Sequence, residues 1–166
     1  QIYHIMQFKN NFSRSVILVV SLISFFLIFS FVTNKQDALA VTKDSKYNVE
    51  VFKTPSCGCC YGYVLFLEKE QFEVKQTDMR SLQTIKKKHN IPLEMQSCHT
   101  TILGKYFIEG HVPIEAINKL LKEQPEIDGI ALPGMPVGTP GMPGEKEEPY
   151  VIYQLVNGKS SVFMRI

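Results

Sequence analysis

The apolar positions of this chain change period several times, and each change marks an element. Val49, Val51 and Phe52 are β-formers that stop at Thr54 and Pro55, so they predict a strand. Residues 60–71 then place Cys60, Val64, Leu67 and Gln71 on one helical face with Tyr63 and Phe66 beside it, which predicts a helix. Residues 72–77 read as a second strand. Ser81 can cap a short helix running to His89, with Leu82 and Ile85 inward, Asn90 suited to the C-terminal stop and Pro92 forbidding continuation. Residues 100–103 and 106–109 flank Gly104-Lys105, a two-residue turn that closes a hairpin. Pro113 opens a helix whose buried stripe is Ile114, Ile117, Leu120 and Leu121.

The order is strand, helix, strand, helix, hairpin, helix. With a right-handed crossover joining the first two strands in parallel, it predicts an α/β, thioredoxin-like fold. Beyond Gln124 the texture changes. Residues 133–149 alternate Pro, Gly and Met and read as a loop, and residues 150–156 and 160–164, turned at Asn157-Gly158, read as a C-terminal β-hairpin.

Residues 16–32 carry no charge, follow Lys9 and Arg14, and precede Ala38-Leu39-Ala40, the layout of a secretory signal peptide. The run is long for a signal, so an uncleaved membrane anchor is the alternative. The expected organisation is a signal at 1–40, a short linker at 41–47 and a single domain at 48–166, exported to the periplasm or secreted. Without its first 40 residues the chain keeps 15 basic and 15 acidic side chains, which gives no electrostatic reason to expect nucleic acid or an anionic membrane surface as partner of the mature domain.

Pro55-Ser56-Cys57-Gly58-Cys59-Cys60 holds three of the four cysteines, at a strand-to-helix turn. Cys57 and Cys60 have the helix-start Cys-x-x-Cys spacing, in which free N–H groups and the helix dipole favour a thiolate on the first sulfur. Disulfide staples are the weaker interpretation, because three cysteines within four residues cannot all be bridged without strain. Redox enzymes of this fold place a proline just before the third strand, facing the cysteine pair. Here Cys98-His99-Thr100 should occupy that position.

The fold would thus bring Cys98 and His99 against Cys57, Cys59 and Cys60. Thiolates and an imidazole in one small volume suit a soft cation, Cu(I) first and zinc second. Met135 and Met142 would add thioethers if the Pro/Gly loop folds over the site, or else simply pack there. His111 is a further candidate ligand, or a histidine bonded to the helix start. Glu109 could support an imidazole from behind, and residues 86–88, all lysine, read as a solvated helix face.

Residues 53–60 (KTPSCGCC), 97–100 (SCHT), 108–113 (IEGHVP), 132–142 (LPGMPVGTPGM) and 161–165 (SVFMR) together make a specific signature. From Val49 onward the chain resembles the domain-of-unknown-function 411 family, small exported proteins described as metal-binding or CopG-like and associated with copper resistance. The resemblance implies that Cys57, Cys59, Cys60, Cys98 and His99 correspond to the family's cysteine and histidine positions. The expectation is an exported copper-binding protein that buffers the metal or delivers it to an efflux or resistance protein, with no catalytic step required. The rival is a thiol-disulfide oxidoreductase with Cys57 as nucleophile and Cys60 as resolving thiol.

Overall fold

A computed structural model describes residues 47–166 of the chain. The expected signal or anchor, and nearly all of the expected linker, lie outside the described residues. Among the described residues no helix is long and apolar enough to cross a membrane.

The elements follow the expected order: β1 (Asn48–Lys53), α1 (Gly58–Lys69), β2 (Glu73–Asp78), α2 (Gln83–Lys88), β3 (Thr100–Leu103), β4 (Tyr106–Glu109) and α3 (Ile114–Glu123). Three more strands follow, β5 (Gly129–Ala131), β6 (Val151–Val156) and β7 (Lys159–Arg165). Among the described residues the seven strands form one sheet in the order β2-β1-β3-β4-β5-β6-β7. β1 runs parallel to β2 and antiparallel to β3, and β3 and β4 form the expected hairpin across Gly104-Lys105. The fold is α/β.

β5 is absent from the sequence reading. Its three residues are all buried, too few for alternation to show. It joins the C-terminal hairpin to the sheet, pairing in parallel with β4 and antiparallel with β6.

Along the strands the period of two divides the apolar side chains between the two faces. Val49, Val51, Leu103, Tyr106, Ile108, Ile130 and Ile152 pack with Tyr63, Val64 and Leu67 of α1 and Ala116, Ile117 and Leu120 of α3. On the other face Phe107, Ala131 and Leu155 pack with Ile91. Gln71, expected on the buried face of the first helix, lies beyond its end, exposed and with positive φ. The buried place is taken by Tyr63.

Lys86 departs furthest from expectation. The run of three lysines predicts a solvated face, yet Lys86 is only 3% exposed and reaches inward from α2 to Glu109 and Thr100.

Candidate metal centre

β1 ends where Lys53, itself buried, pairs with Asp78 of β2 at 2.7 Å. The chain then turns, the Cys57 amide donating to the Thr54 carbonyl at 3.2 Å, and enters α1 with Cys57 at its N-cap. All three clustered cysteines are therefore set on or beside the first turn of a helix, at the end of two parallel strands. β3 begins at Thr100, so Cys98 and His99 sit immediately before the strand that pairs with β1.

The two sets meet. The sulfurs of Cys57, Cys59, Cys60 and Cys98 all lie within 4.8 Å of one another, and so do the donor atoms of Cys98, His99 and His111. Cys98 belongs to both groups. Its Sγ is 4.0 Å from Cys59 Sγ, 3.4 Å from His99 Nδ1 and 3.0 Å from His111 Nε2.

Cys57 and Cys60 are joined by a disulfide, with Cys59 and Cys98 free. Cys59 Sγ stands 3.5 Å from Cys57 Sγ. The sequence makes staples the weaker expectation because not all three clustered cysteines can be bridged without strain. One pair spaced by two residues meets no such obstacle. In this state two of the four sulfurs are bonded to each other, and reduction by two electrons would release them as thiols.

The imidazoles are set from behind. His111 Nδ1 lies 2.7 Å from the Pro140 carbonyl, which can only accept, so Nδ1 carries the proton and Nε2 presents its lone pair to Cys98. Burial holds His111 below the usual histidine range. His99 lies further below it, through burial first and then through the nearby His111 and Lys86 charges. Both rings are thus neutral at ordinary pH, the form in which imidazole ligates metal. Among the described residues His99 Nε2 has no hydrogen-bond partner although it is buried, where such an atom is normally satisfied.

Tyr63 ties the two rings together. Its ring centroid is 4.5 Å from that of His99 and 5.6 Å from that of His111, and its hydroxyl donates to the Val112 carbonyl at 2.9 Å. Cys98 is half-buried, and burial with the adjacent Cys59 pushes its thiol up to about 12. At neutral pH it is a thiol, and its S–H is placed to donate to His111 Nε2. Any metal bound there must displace that proton.

The Pro/Gly/Met loop closes the site at the helix start. Gly141 has φ +84, and a Cβ there would fall 2.6 Å from the Tyr63 nitrogen and 2.7 Å from the Cys59 carbonyl oxygen, so only glycine lets the loop lie this close to α1. This contact brings the preceding Pro140 carbonyl to His111. Met142 is half-buried beside it, whereas Met135 is 52% exposed. Glu109 does not support an imidazole. It takes hydrogen bonds from Ser97, Thr100 and Lys86 instead.

Sequence reasoning therefore missed Tyr63, Pro140 and Lys86. Tyr63 was visible as a helix-face residue, but neither a backbone carbonyl from a distant loop nor an inward lysine leaves a local pattern.

Two solved structures, named copper resistance protein CopG form 1 and form 2, are each 35% identical to this chain. Their TM-scores are 0.67 and 0.68, and the match covers 74% of this chain and 98% and 99% of theirs. The family described as protein of unknown function, DUF411, matches residues 95–142. The chain belongs to the DUF411/CopG-like family. The DUF411 match takes in Cys98, His99, His111 and the Gly141 loop, while Cys57, Cys59 and Cys60 lie before it. No curated protein matches the chain.

Proposed function

We propose that this chain binds copper as Cu(I) at Cys98 and the sulfurs and imidazoles around it, and that it serves to buffer the metal or pass it to an efflux or resistance protein outside the cytoplasm. The observation that carries this is the position of Cys98 Sγ, shared between a four-sulfur group and a group with two histidines. Sulfur with neutral imidazole is a donor set that selects Cu(I) or zinc over magnesium or calcium, which take oxygen. The family relatives named for copper resistance favour copper of these two. Cys57, Cys59 and Cys60 would be ligands when reduced, His99 and His111 ligands or partners that keep a thiolate deprotonated, and Met142, half-buried, a thioether better placed for burial against the site than the exposed Met135. Export rests on the N-terminal apolar run and its small-residue boundary.

Titration of the reduced chain with Cu(I) against a competing chelator tests this. The wild type is expected to hold the metal and a Cys57→Ser, Cys60→Ser double variant to lose most of its affinity. Full affinity in the double variant would defeat the proposal.

The Cys57–Cys60 disulfide supports a second reading, thiol-disulfide exchange. In the reduced chain the Cys57 thiolate would attack a substrate disulfide, expelling one substrate thiolate and forming a mixed disulfide. Cys60 would then attack Cys57, expelling the second substrate thiolate and leaving the Cys57–Cys60 bond seen here. Insulin reduction by the metal-free chain separates the two readings.

A further inference from the structure

Cys98 lies in an irregular segment, before the first ladder residue of β3. The Gly110 amide donates to the His99 carbonyl at 3.1 Å, and side chains supply the rest of the hold on this segment. One carboxylate brackets it. Glu109 Oε1 accepts the Ser97 amide proton at 2.6 Å, and Oε2 accepts the Thr100 hydroxyl proton at 2.6 Å, so the residues on either side of Cys98-His99 hang on the same group. The register sets Glu109 directly opposite Thr100 across the β3–β4 pair.

Lys86 completes the arrangement from a third element. It donates to Glu109 Oε1 and, at 3.3 Å, to Thr100 Oγ1. Three donors thus converge on two carboxylate oxygens. A glutamine would offer one acceptor oxygen where the carboxylate offers two, and its NH₂ would face donors. Lys87 and Lys88, next along the same helix, are exposed, so the inward turn of Lys86 is specific to that position.

A buried ion pair is weak evidence of stabilisation, since apolar residues of similar size often serve as well, and fixing a geometry is the better-attested use of such a pair. We propose that the Lys86–Glu109 pair is a positioning device for the metal centre, holding the 97–100 segment so that Cys98 Sγ faces both Cys59 and His111. Neither residue touches a sulfur or an imidazole nitrogen in any of these contacts. They act through Ser97 and Thr100. The role rests on the copper reading of Cys98 given above.

The test is Cu(I) competition titration of the full reduced chain, with the folded fraction measured alongside. Glu109→Gln is expected to weaken Cu(I) binding about 10- to 100-fold, the usual effect of removing a group that orients a ligand. Glu109→Asp, which keeps both oxygens, is expected to regain part of the loss. If Glu109→Gln does not fold, the Lys86→Met, Glu109→Leu double variant carries the test, because it buries no charge; it should bind as weakly. A variant that is less stable yet binds Cu(I) as tightly as the wild type overturns the positioning role, as do equal losses in the Gln and Asp variants. Cys98→Ser separates the layers. If it leaves affinity unchanged, the copper reading of Cys98 fails and the positioning role falls with it. If it weakens binding while Glu109→Gln does not, only the positioning role is overturned.

Discussion

His111 aims Nε2 at Cys98 Sγ from 3.0 Å, and it does so because Pro140 holds its other nitrogen at 2.7 Å. A histidine thus fixed in tautomer and direction loses little entropy when a metal enters. His111→Ala should weaken Cu(I) binding about 10- to 100-fold, the range typical of groups that hold or orient a metal. Chelator competition measures it. Unchanged affinity would leave His111 as a packing residue.

Proton displacement makes metal loading depend on pH. Because burial and Cys59 push the Cys98 thiol up to about 12, it is protonated throughout the neutral range, and each thiol proton released by the metal makes apparent affinity rise about tenfold per pH unit. Competition titrations at pH 6 and pH 8 should show tighter binding at pH 8, after correction for the chelator. The metal-free protein has an acid limit of a different origin. His99 and His111 are depressed in the folded state, so the unfolded chain takes up protons that the native one refuses as pH falls through about 6.5. Stability against urea should therefore drop between pH 7.5 and pH 5.5. Glu109, raised by burial, works in the opposite sense, nearer the carboxylate range.

Gly141→Ala tests the loop. A Cβ cannot fit against Tyr63 N and Cys59 O, and the left-handed backbone there adds strain. The loop should lift from α1, at a cost of about 1–3 kcal/mol in stability, and His111 should lose its Pro140 partner. Resistance to denaturant and Cu(I) affinity should both fall. A loss of stability alone would separate the loop from the site.

Much of this was legible in the sequence. The βαβ order, the Gly104-Lys105 hairpin and the meeting of Cys98-His99 with the cysteine turn follow from period changes and from where a strand-to-helix turn must lie. What was hidden depends on long-range contacts. β5 is three residues long, and its strand character comes from its two neighbours in the sheet. Lys86 sits in a run of three lysines, and its inward turn depends on Glu109 of β4 and Thr100 of β3, which are distant in sequence. The Cys57–Cys60 bond has a spacing equally suited to a metal pair, so pattern alone leaves both open.

Lys86 gives a stability prediction independent of metal. Lys86→Met leaves Glu109 buried without its cation and should cost about 3–5 kcal/mol, while the Lys86→Met, Glu109→Leu double variant should recover most of that loss. Urea unfolding of the metal-free protein reads both. A single variant as stable as wild type would mean that Lys86 is not buried as described.

X-ray absorption at the copper edge of the reduced, Cu(I)-loaded chain tests the central claim most directly. The account predicts a metal bound mainly by sulfur, with an imidazole contribution that disappears in a His99→Ala, His111→Ala double variant, and sulfur scattering that falls in Cys98→Ser. A spectrum dominated by oxygen, or one that neither substitution alters, would contradict it.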